Sequence, residues 1–266
     1  MAGYFTGELL RSHGIDTARL SPDFHRTRIR SFEPDSLLVA RGSMCRNLYF
    51  VVDGLLLAEV ENVQEQNAKM PIFALTEGNW AGVSDILAGR ESSFSYFSAT
   101  DLTVLEFPED LVESWRAKHA EFNQLMTKIC IEESDRFTQT LIPIKMGGTV
   151  FRVVSALACL ADTFERGQNW RSQMLASTAG NHLPGATVAV PQFTLAALCG
   201  VSRSVLSPIL QPLKQRGWLQ LEYGATHICR PAIWARLAGK LRRKTMIDSA
   251  APIDWAISEL ETLGQS

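Results

Sequence analysis

The chain has little of what marks disulfide-rich, zinc-binding or membrane-spanning proteins. Its 266 residues include only five cysteines, which are scattered and never stand at the CxxC spacing typical of zinc sites. An odd and dispersed set also argues against a disulfide framework, so we expect small buried thiols in a reducing compartment. No apolar run approaches the roughly 20 residues that a transmembrane helix needs.

Catalytic and targeting signatures are also missing. The patterns GxSxG, HExxH, GxGxxG and the P-loop do not occur. The carboxylates of Glu132, Glu133 and Asp135 are interpreted as the solvated face of a helix. The first residues lack a basic stretch followed by an apolar one, which is the mark of a secretory signal. We therefore expect a cytoplasmic protein without enzymatic activity, metal or cofactor.

Charge is distributed unevenly along the chain. The whole sequence has 26 basic and 28 acidic residues, yet residues 199–247 hold nine basic residues against the single acid Glu222, leaving 17 and 27 elsewhere. Such segregation favours a polyanion as partner of the C-terminal part, although a merely solvated face is the alternative. The nine are Arg203, Lys214, Arg216, Arg230, Arg236, Lys240, Arg242, Arg243 and Lys244.

The apolar pattern divides the chain into a β-rich half and a helical half. After short helical patterns in residues 1–30, the segment "SLLVARGSMCRNLYFVVDGLLLAEVE" alternates β-prone runs with turns at Gly42 and at Asp53–Gly54. Similar short runs continue to Pro108. This spacing predicts an α+β protein whose N-terminal domain is an antiparallel β-barrel of jelly-roll type.

A long helix is predicted from Pro108 to Ile142, since neither glycine nor another proline interrupts it. Its apolar stripe predicts a helix that either packs on its own domain or pairs with a second copy of the chain. The segment 143–148, "PIKMGG", is predicted to end the helix as an interdomain hinge. The residues predicted at the dimer interface are Phe122, Leu125, Met126, Ile129, Glu133 and Arg136.

Residues 192–217 have the pattern of a helix-turn-helix. Gly200 suits the turn, Ser202 suits the N-cap of the second helix, and a buried face recurs from Leu206 to Leu213. Arg203 then stands on the first turn, where an arginine reads guanine in the major groove. Two β runs about Gly224 would form a wing; an ordinary helical hairpin is the alternative. The predicted DNA-binding residues are Gln192, Ser202, Arg203, Ser204, Ser207, Gln211 and Lys214.

Two prolines interrupt this pattern. Pro208 and Pro212 each remove one backbone hydrogen bond and are expected to bend the second helix. They are predicted to lie on the face away from Leu206 and Leu213. Such a bend either leaves Arg203 in the groove with an altered site preference or abolishes DNA binding, and the sequence leaves both open.

The motifs together resemble the Crp/Fnr family of bacterial transcription regulators. "LAALCGVSRSVLSPILQPLKQRGWL" is similar to its helix-turn-helix, and "LTEGNWAGVSDIL" with "ATDLTVLEFP" to its cyclic-nucleotide-binding barrel. The resemblance covers roughly residues 32–235. It implies a homodimer with an effector pocket in each barrel, which binds a palindromic operator in double-stranded DNA and contacts RNA polymerase. The predicted domains are 1–30 (helical extension), 31–117 (effector barrel), 118–145 (dimerisation helix), 146–235 (winged helix-turn-helix) and 236–266 (helical tail).

Two departures from the family concern its ligands and its DNA contacts. Relatives that bind cyclic nucleotides carry a glutamate and an Arg-Ser pair, whereas this chain has Gly82–Val83–Ser84 and Ser92–Ser93. A shift of two residues would align Arg90 instead, followed by Glu91. Without a fixed cation an anionic nucleotide loses its charge-assisted bonds, so we expect no binding of cyclic AMP or GMP. In the second departure, Pro208 occupies the place of a second base-contacting arginine.

The residues predicted to line an effector pocket are Trp80, Gly82, Val83, Ser84, Ser92, Ser93, Phe137 and Thr138. No cysteine precedes Cys45, which argues against the iron–sulfur cluster of some relatives. Haem stays open as an alternative, with His13, His25 or Cys45 as candidate ligands. The function predicted is a DNA-binding regulator controlled by another effector or by none. The alternative is a ligand-binding or interaction module whose winged helix no longer reads DNA.

Overall fold

The computed structural model describes residues 2–62, 68–176, 188–243 and 251–265. The chain divides into two compact units. The first unit comprises Met1–Val60, Ala74–Ser134 and Arg166–His182. The second unit comprises Glu61–Phe73, Asp135–Glu165 and Leu183–Ser266.

The first unit is built mainly of two antiparallel sheets with short helices beside them. One sheet has the strand order β1-β8-β3-β6 and the other β2-β7-β4-β5. The elements are α1 (Ala2–Ser12), a 3-10 helix (Ser21–Arg26), β1 (Arg28–Phe32), β2 (Leu37–Val39), β3 (Asn47–Asp53), β4 (Leu56–Asn62), β5 (Ala68–Leu75), β6 (Trp80–Ala81), α2 (Val83–Ala88), β7 (Ser95–Ser98), β8 (Leu102–Pro108) and α3 (Glu109–Lys118).

The predicted antiparallel β architecture is confirmed, in the form of two four-stranded sheets rather than one closed barrel. The central strand β3 pairs with β8 in the register Phe50↔Leu105, and both side chains are buried. The sequence pattern did not predict α2. This short helix lies between Gly82 and Gly89, and both glycines have the left-handed backbone that caps a helix without steric cost.

The helix predicted from Pro108 to Ile142 is two helices. α3 ends at Lys118, His119 takes an extended backbone, and α4 runs from Ala120 to Met146. The prediction was wrong here because no glycine or proline marks the break. The break between α4 and α5 falls at Gly147–Gly148, inside the predicted segment 143–148, whereas Pro143 still lies within α4. Pro143 cannot donate to the carbonyl of Gln139, and α4 ends three residues after it.

The apolar stripe of α4 is buried within its own chain. Phe122, Leu125, Met126 and Ile129 are all buried in the absence of any second copy, and the ring of Phe122 contacts that of Trp115 edge-on with centroids 5.2 Å apart. Burying a large apolar side chain stabilises a fold by about 1.5–3 kcal/mol. These four residues therefore belong to the core of the first unit, and a partner helix would contact another face.

The second unit carries a small antiparallel sheet among helices. Its three strands have the order β10-β11-β9. The elements are α5 (Thr149–Ala176, whose last part is assigned to the first unit), β9 (Val188–Pro191), α6 (Gln192–Leu198), α7 (Arg203–Gln215), β10 (Leu219–Glu222), β11 (Ala225–Ile228), α8 (Pro231–Arg243) and α9 (Ile253–Gln265).

Some of the predicted domain boundaries lie near the ends of these elements, and others fall inside them. The boundary at 145 lies one residue before the end of α4, whereas the boundary at 235 falls inside α8 and the one at 30 falls inside β1. α8 continues because its buried residues Trp234, Leu237 and Ala238 recur at helical spacing across position 235.

Within the described part of the chain, no single helix has the length and apolar character needed to cross a membrane.

Candidate nucleic-acid interface

Helices α6 and α7 form the helix-turn-helix that the sequence predicts. The two axes meet at 105°, within the range typical of this motif. Gly200 in the turn has φ +61°, a backbone that favours glycine. Its carbonyl accepts a hydrogen bond of 3.2 Å from Nη1 of Arg152 on α5. This bond ties the turn between α6 and α7 to α5.

α7 begins where the sequence predicts. Ser202 has the extended backbone of an N-cap residue, and its carbonyl accepts the N–H groups of Val205 and Leu206. The hydroxyl does not cap the helix; it lies 2.8 Å from the hydroxyl of Ser204. The predicted buried face is confirmed for Leu206, Ile209, Leu210 and Leu213.

The opposite face of α7 is open to solvent and holds most of the predicted DNA-binding residues. Gln192 departs from this set, since it is half-buried at the start of α6 and its backbone N–H bonds to the carbonyl of Gly224 in the wing. Val205, which is 43% exposed, adds an apolar side chain to this face that was not predicted from the sequence. The exposed predicted residues are Ser202, Arg203, Ser204, Ser207, Gln211 and Lys214.

The two prolines do not interrupt α7. The helix runs through Pro208, which is exposed, and through Pro212, which is half-buried. Each proline leaves one carbonyl a turn earlier, at Ser204 and at Pro208, without its usual helical donor. Because Ser204 is exposed, water can bond to its carbonyl, and the four buried side chains opposite hold the helix on the unit.

The wing follows as β10 and β11, joined by a tight turn. Tyr223 in this turn is fully exposed, and Phe193 on α6 is 58% exposed. Single exposed apolar side chains are common on protein surfaces, so their exposure alone does not mark a contact. Neither residue was predicted from the sequence, although the position of Tyr223 at the tip of a predicted hairpin was a usable signal.

Several of the basic side chains in residues 199–243 are already paired within the protein. Arg216 pairs with Glu261 at 2.8 Å, Lys240 pairs with Glu259, and both acids lie on α9. Arg242 forms two hydrogen bonds with Asp162. The guanidinium of Arg230 lies over the ring of Trp218. Lys244 lies outside the described residues.

Arg203 and Lys214 differ from these cations. Both are exposed on α7, and neither forms an ion pair with any described residue. Exposed cations without such a pair thus include Arg203 and Lys214 on α7 and Arg243 on α8.

Most of the predicted effector residues of the first unit are buried within it. Trp80 is 3% exposed and packs against Phe50 and Phe107, with ring centroids 5.0 and 5.3 Å away. Gly82 has φ +84°, and a Cβ there would meet Sγ of Cys45 at 2.7 Å. Val83 is buried, while Ser84 and Ser93 are half-buried.

Ser92 belongs to a polar cluster around a buried carboxylate. Asp85, with 1% of its side chain exposed, accepts hydrogen bonds from Nε of Arg90 at 3.2 Å and from the hydroxyl of Ser92 at 3.0 Å. This acid lies three residues after Gly82, rather than directly after it as in nucleotide-binding relatives. Both of its oxygens are engaged within the protein, so a ribose would have to displace these bonds.

The remaining predicted effector residues, Phe137 and Thr138, belong to the second unit. Phe137 contacts the ring of Phe73 edge-on at 6.4 Å. Thr138 lines a cleft among α4, α5 and α8. The eight predicted residues therefore do not form one pocket within either unit.

The candidate haem ligands lie in separate surroundings. Burial raises the pKa of the Cys45 thiol to about 11, and that thiol donates to the carbonyl of Asn47. His25 bonds to the carbonyl of Pro22, and His13 is exposed beside Trp80. Among the described residues, no three histidine, cysteine or acidic side chains are grouped as a metal ion would require.

No family model and no curated protein sequence matches this chain, but solved structures do. FixK2 from Bradyrhizobium japonicum is 13% identical with a TM-score of 0.59, covering 85% of this chain and 99% of that one. A CRP-family regulator from Thermus thermophilus is 18% identical with a TM-score of 0.55, covering 79% and 96%. The c-di-GMP-responsive global regulator CLP from Xanthomonas campestris is 15% identical with a TM-score of 0.53, covering 80% and 99%. The chain therefore has the fold of the CRP/FNR-type transcriptional regulators.

Proposed function

We propose that this protein is a DNA-binding transcription regulator of the CRP/FNR type. The observation that carries the proposal is the exposed face of α7, which combines Arg203 and Lys214, both without an ion-pair partner among the described residues, with the hydroxyl and amide groups of Ser204, Ser207 and Gln211. These groups supply bidentate guanine readout, adenine readout and phosphate contacts. The wing with Tyr223 lies next in sequence.

A dimer would place two such helices in successive major grooves of a palindromic operator. The exposed face of α4 is the surface we propose for pairing. Ile131, Ile142 and Met146 are 59%, 41% and 63% exposed and recur at intervals of eleven and four residues, which keeps them on one side of the helix. Glu133 and Arg136 are half-buried, and the helical repeat places them on the other side of α4. RNA polymerase is the protein partner proposed for such a regulator.

The effector is proposed to be a molecule other than cyclic AMP or GMP. Arg90 already bonds to Asp85, and Ser92 donates to the same carboxylate. The phosphate of a cyclic nucleotide would therefore compete with a carboxylate for the guanidinium of this cluster. Calorimetric titration of cyclic AMP and cyclic GMP is expected to give no saturable heat. Saturable micromolar binding would refute this part of the proposal.

The test of DNA reading is a selection from random duplexes. The wild type is expected to enrich a palindrome, and Arg203→Ala is expected to lose about 1–3 kcal/mol of discrimination at one base pair of each half-site. Arg41→Ala is the control, since it removes an equally exposed cation from the first unit. A wild-type protein that enriches no motif, with or without cell extract as a source of effector, would favour an interaction module with a winged helix that does not read DNA.

A further inference from the structure

The exposed face of α7 alternates polar and apolar groups along its middle line. At about 3.6 residues per turn, Ser204, Pro208 and Gln211 fall within about 60° of one another around the helix axis, and all three are exposed. Leu206 and Leu213 are buried on the opposite side. The middle line of the exposed face therefore presents a hydroxyl, a proline ring and an amide in succession, about one helical turn apart.

The charged side chains of α7 lie to one side of this line. Arg203 and Lys214 are separated by nearly three full turns, so they share one flank of the exposed face. Val205, which is 43% exposed, lies on the other flank. A base pair beneath the middle of α7 therefore meets the uncharged ring of Pro208, with a polar side chain before it and another after it.

A proline ring can cover the edge of a base but cannot form a hydrogen bond with it. The side chain of Pro208 has neither a donor nor an acceptor, and its backbone lacks the N–H. Every base pair presents polar groups in the major groove, and covering them without replacing their bonds to water is unfavourable. Thymine also presents an apolar group there, the C5 methyl. The ring of Pro208 therefore favours a base pair that places this methyl beneath it.

We propose that Pro208 is a specificity-determining residue whose ring packs against the C5 methyl of a pyrimidine in each half-site, an inference that rests on the proposed DNA-binding function. Pro208 follows Arg203 by a rise of about 7.5 Å along the helix, which is about two base-pair steps of about 3.4 Å. The methyl group therefore lies within about two base pairs of the guanine that Arg203 contacts. Thymine supplies this group, and 5-methylcytosine carries the same group at the same place.

Base analogues test the proposal on the palindrome that the wild type enriches. Each thymine within two base pairs of the position that responds to Arg203→Ala is replaced in both half-sites by deoxyuridine, which lacks only the C5 methyl. We expect one such replacement to weaken binding about tenfold, or about three- to fourfold per half-site, the loss of one methyl contact. A similar gain when a cytosine there is 5-methylated would identify methylated cytosine as the source of the same group. Neither effect, in fluorescence anisotropy at fixed salt, would overturn the proposal.

Two variants assign the methyl contact to a residue. Pro208→Ser removes the ring and opens no cavity, because Pro208 is exposed, and it should reduce the effect of the methyl group to less than about twofold. Val205→Ser is the matched control, since it removes the exposed apolar side chain of the other flank and should leave the effect unchanged. Loss of the effect in Val205→Ser but not in Pro208→Ser would overturn the proposal.

Failure of this inference is distinct from failure of the proposed function. A wild type that enriches a palindrome but binds duplexes with and without the methyl group equally refutes the role of Pro208 and leaves DNA reading intact. A wild type that enriches no palindrome refutes both.

Discussion

Pro208 offers the sharpest test of how α7 is held on the second unit. In a regular helix the N–H of residue 208 bonds to the carbonyl of Ser204, and proline has no such donor. α7 nevertheless runs unbroken from Arg203 to Gln215. Pro208→Ala restores the donor and removes the ring from the preceding turn. It opens no cavity, because Pro208 is exposed.

The expected gain follows from two opposing effects. Proline inside a helix is about 3 kcal/mol less favourable than alanine. Proline also restricts the unfolded chain, which favours the folded state by about 0.4–1 kcal/mol, and the alanine variant loses this contribution. We therefore expect Pro208→Ala to raise the free energy of unfolding of the second unit by about 2 kcal/mol. The buried Leu206, Ile209, Leu210 and Leu213 keep their packing in this variant.

Urea unfolding monitored by tryptophan fluorescence measures the gain, since Trp218 and Trp234 are buried in the second unit. Ser207→Ala is the matched control on the same exposed face, and it should change the free energy of unfolding by no more than about 0.5 kcal/mol. A Pro208→Ala variant that is no more stable than wild type would refute the reasoning. It would mean that the carbonyl of Ser204 is not in position to accept the restored N–H.

Three further predictions concern the dimer, the phosphate contacts and pH. Ile131→Glu should lower the apparent mass in light scattering from that of a dimer towards one chain of 29.5 kDa without unfolding it, whereas Ile129→Glu should unfold the first unit, because Ile129 is buried. Lys214→Ala should weaken binding to all duplexes and reduce the slope of log K against log salt by about one unit; Arg216→Ala, the control, should change it less, since Glu261 already pairs with Arg216. Burial raises the pKa of Glu106, with Arg30 opposing it, so the stability of the wild type should fall as pH rises through that pKa. Glu106→Gln should therefore stabilise the protein at pH 7 but not below the ordinary carboxyl pKa of about 4.3, as thermal unfolding across pH can measure; a gain that is equal at both pH values would contradict this assignment.

The sequence predicted elements best where the local signal was strong. Asp53–Gly54 and Gly224 marked turns between strands that the structure confirms, and the Ser202 N-cap fixed the start of α7 within one residue. Local signals failed where structure depends on neighbours. His119 breaks a helix although its residue type does not require a break, and Pro143 and Pro208 lie inside helices although their residue type predicts the opposite.

The sequence by itself determined the division into a β-rich and a helical half, the buried and exposed faces of α7 and the absence of a nucleotide-binding carboxylate after Gly82, because each is set by residues close together in the chain. Only the tertiary structure decided which partner each charged or apolar side chain takes. It placed Ile129 in the core of its own unit and paired Arg216 with Glu261, 45 residues away in sequence. The periodic spacing of residues predicts that a face is apolar or charged. Which residues cover that face depends on segments that meet only when the chain folds.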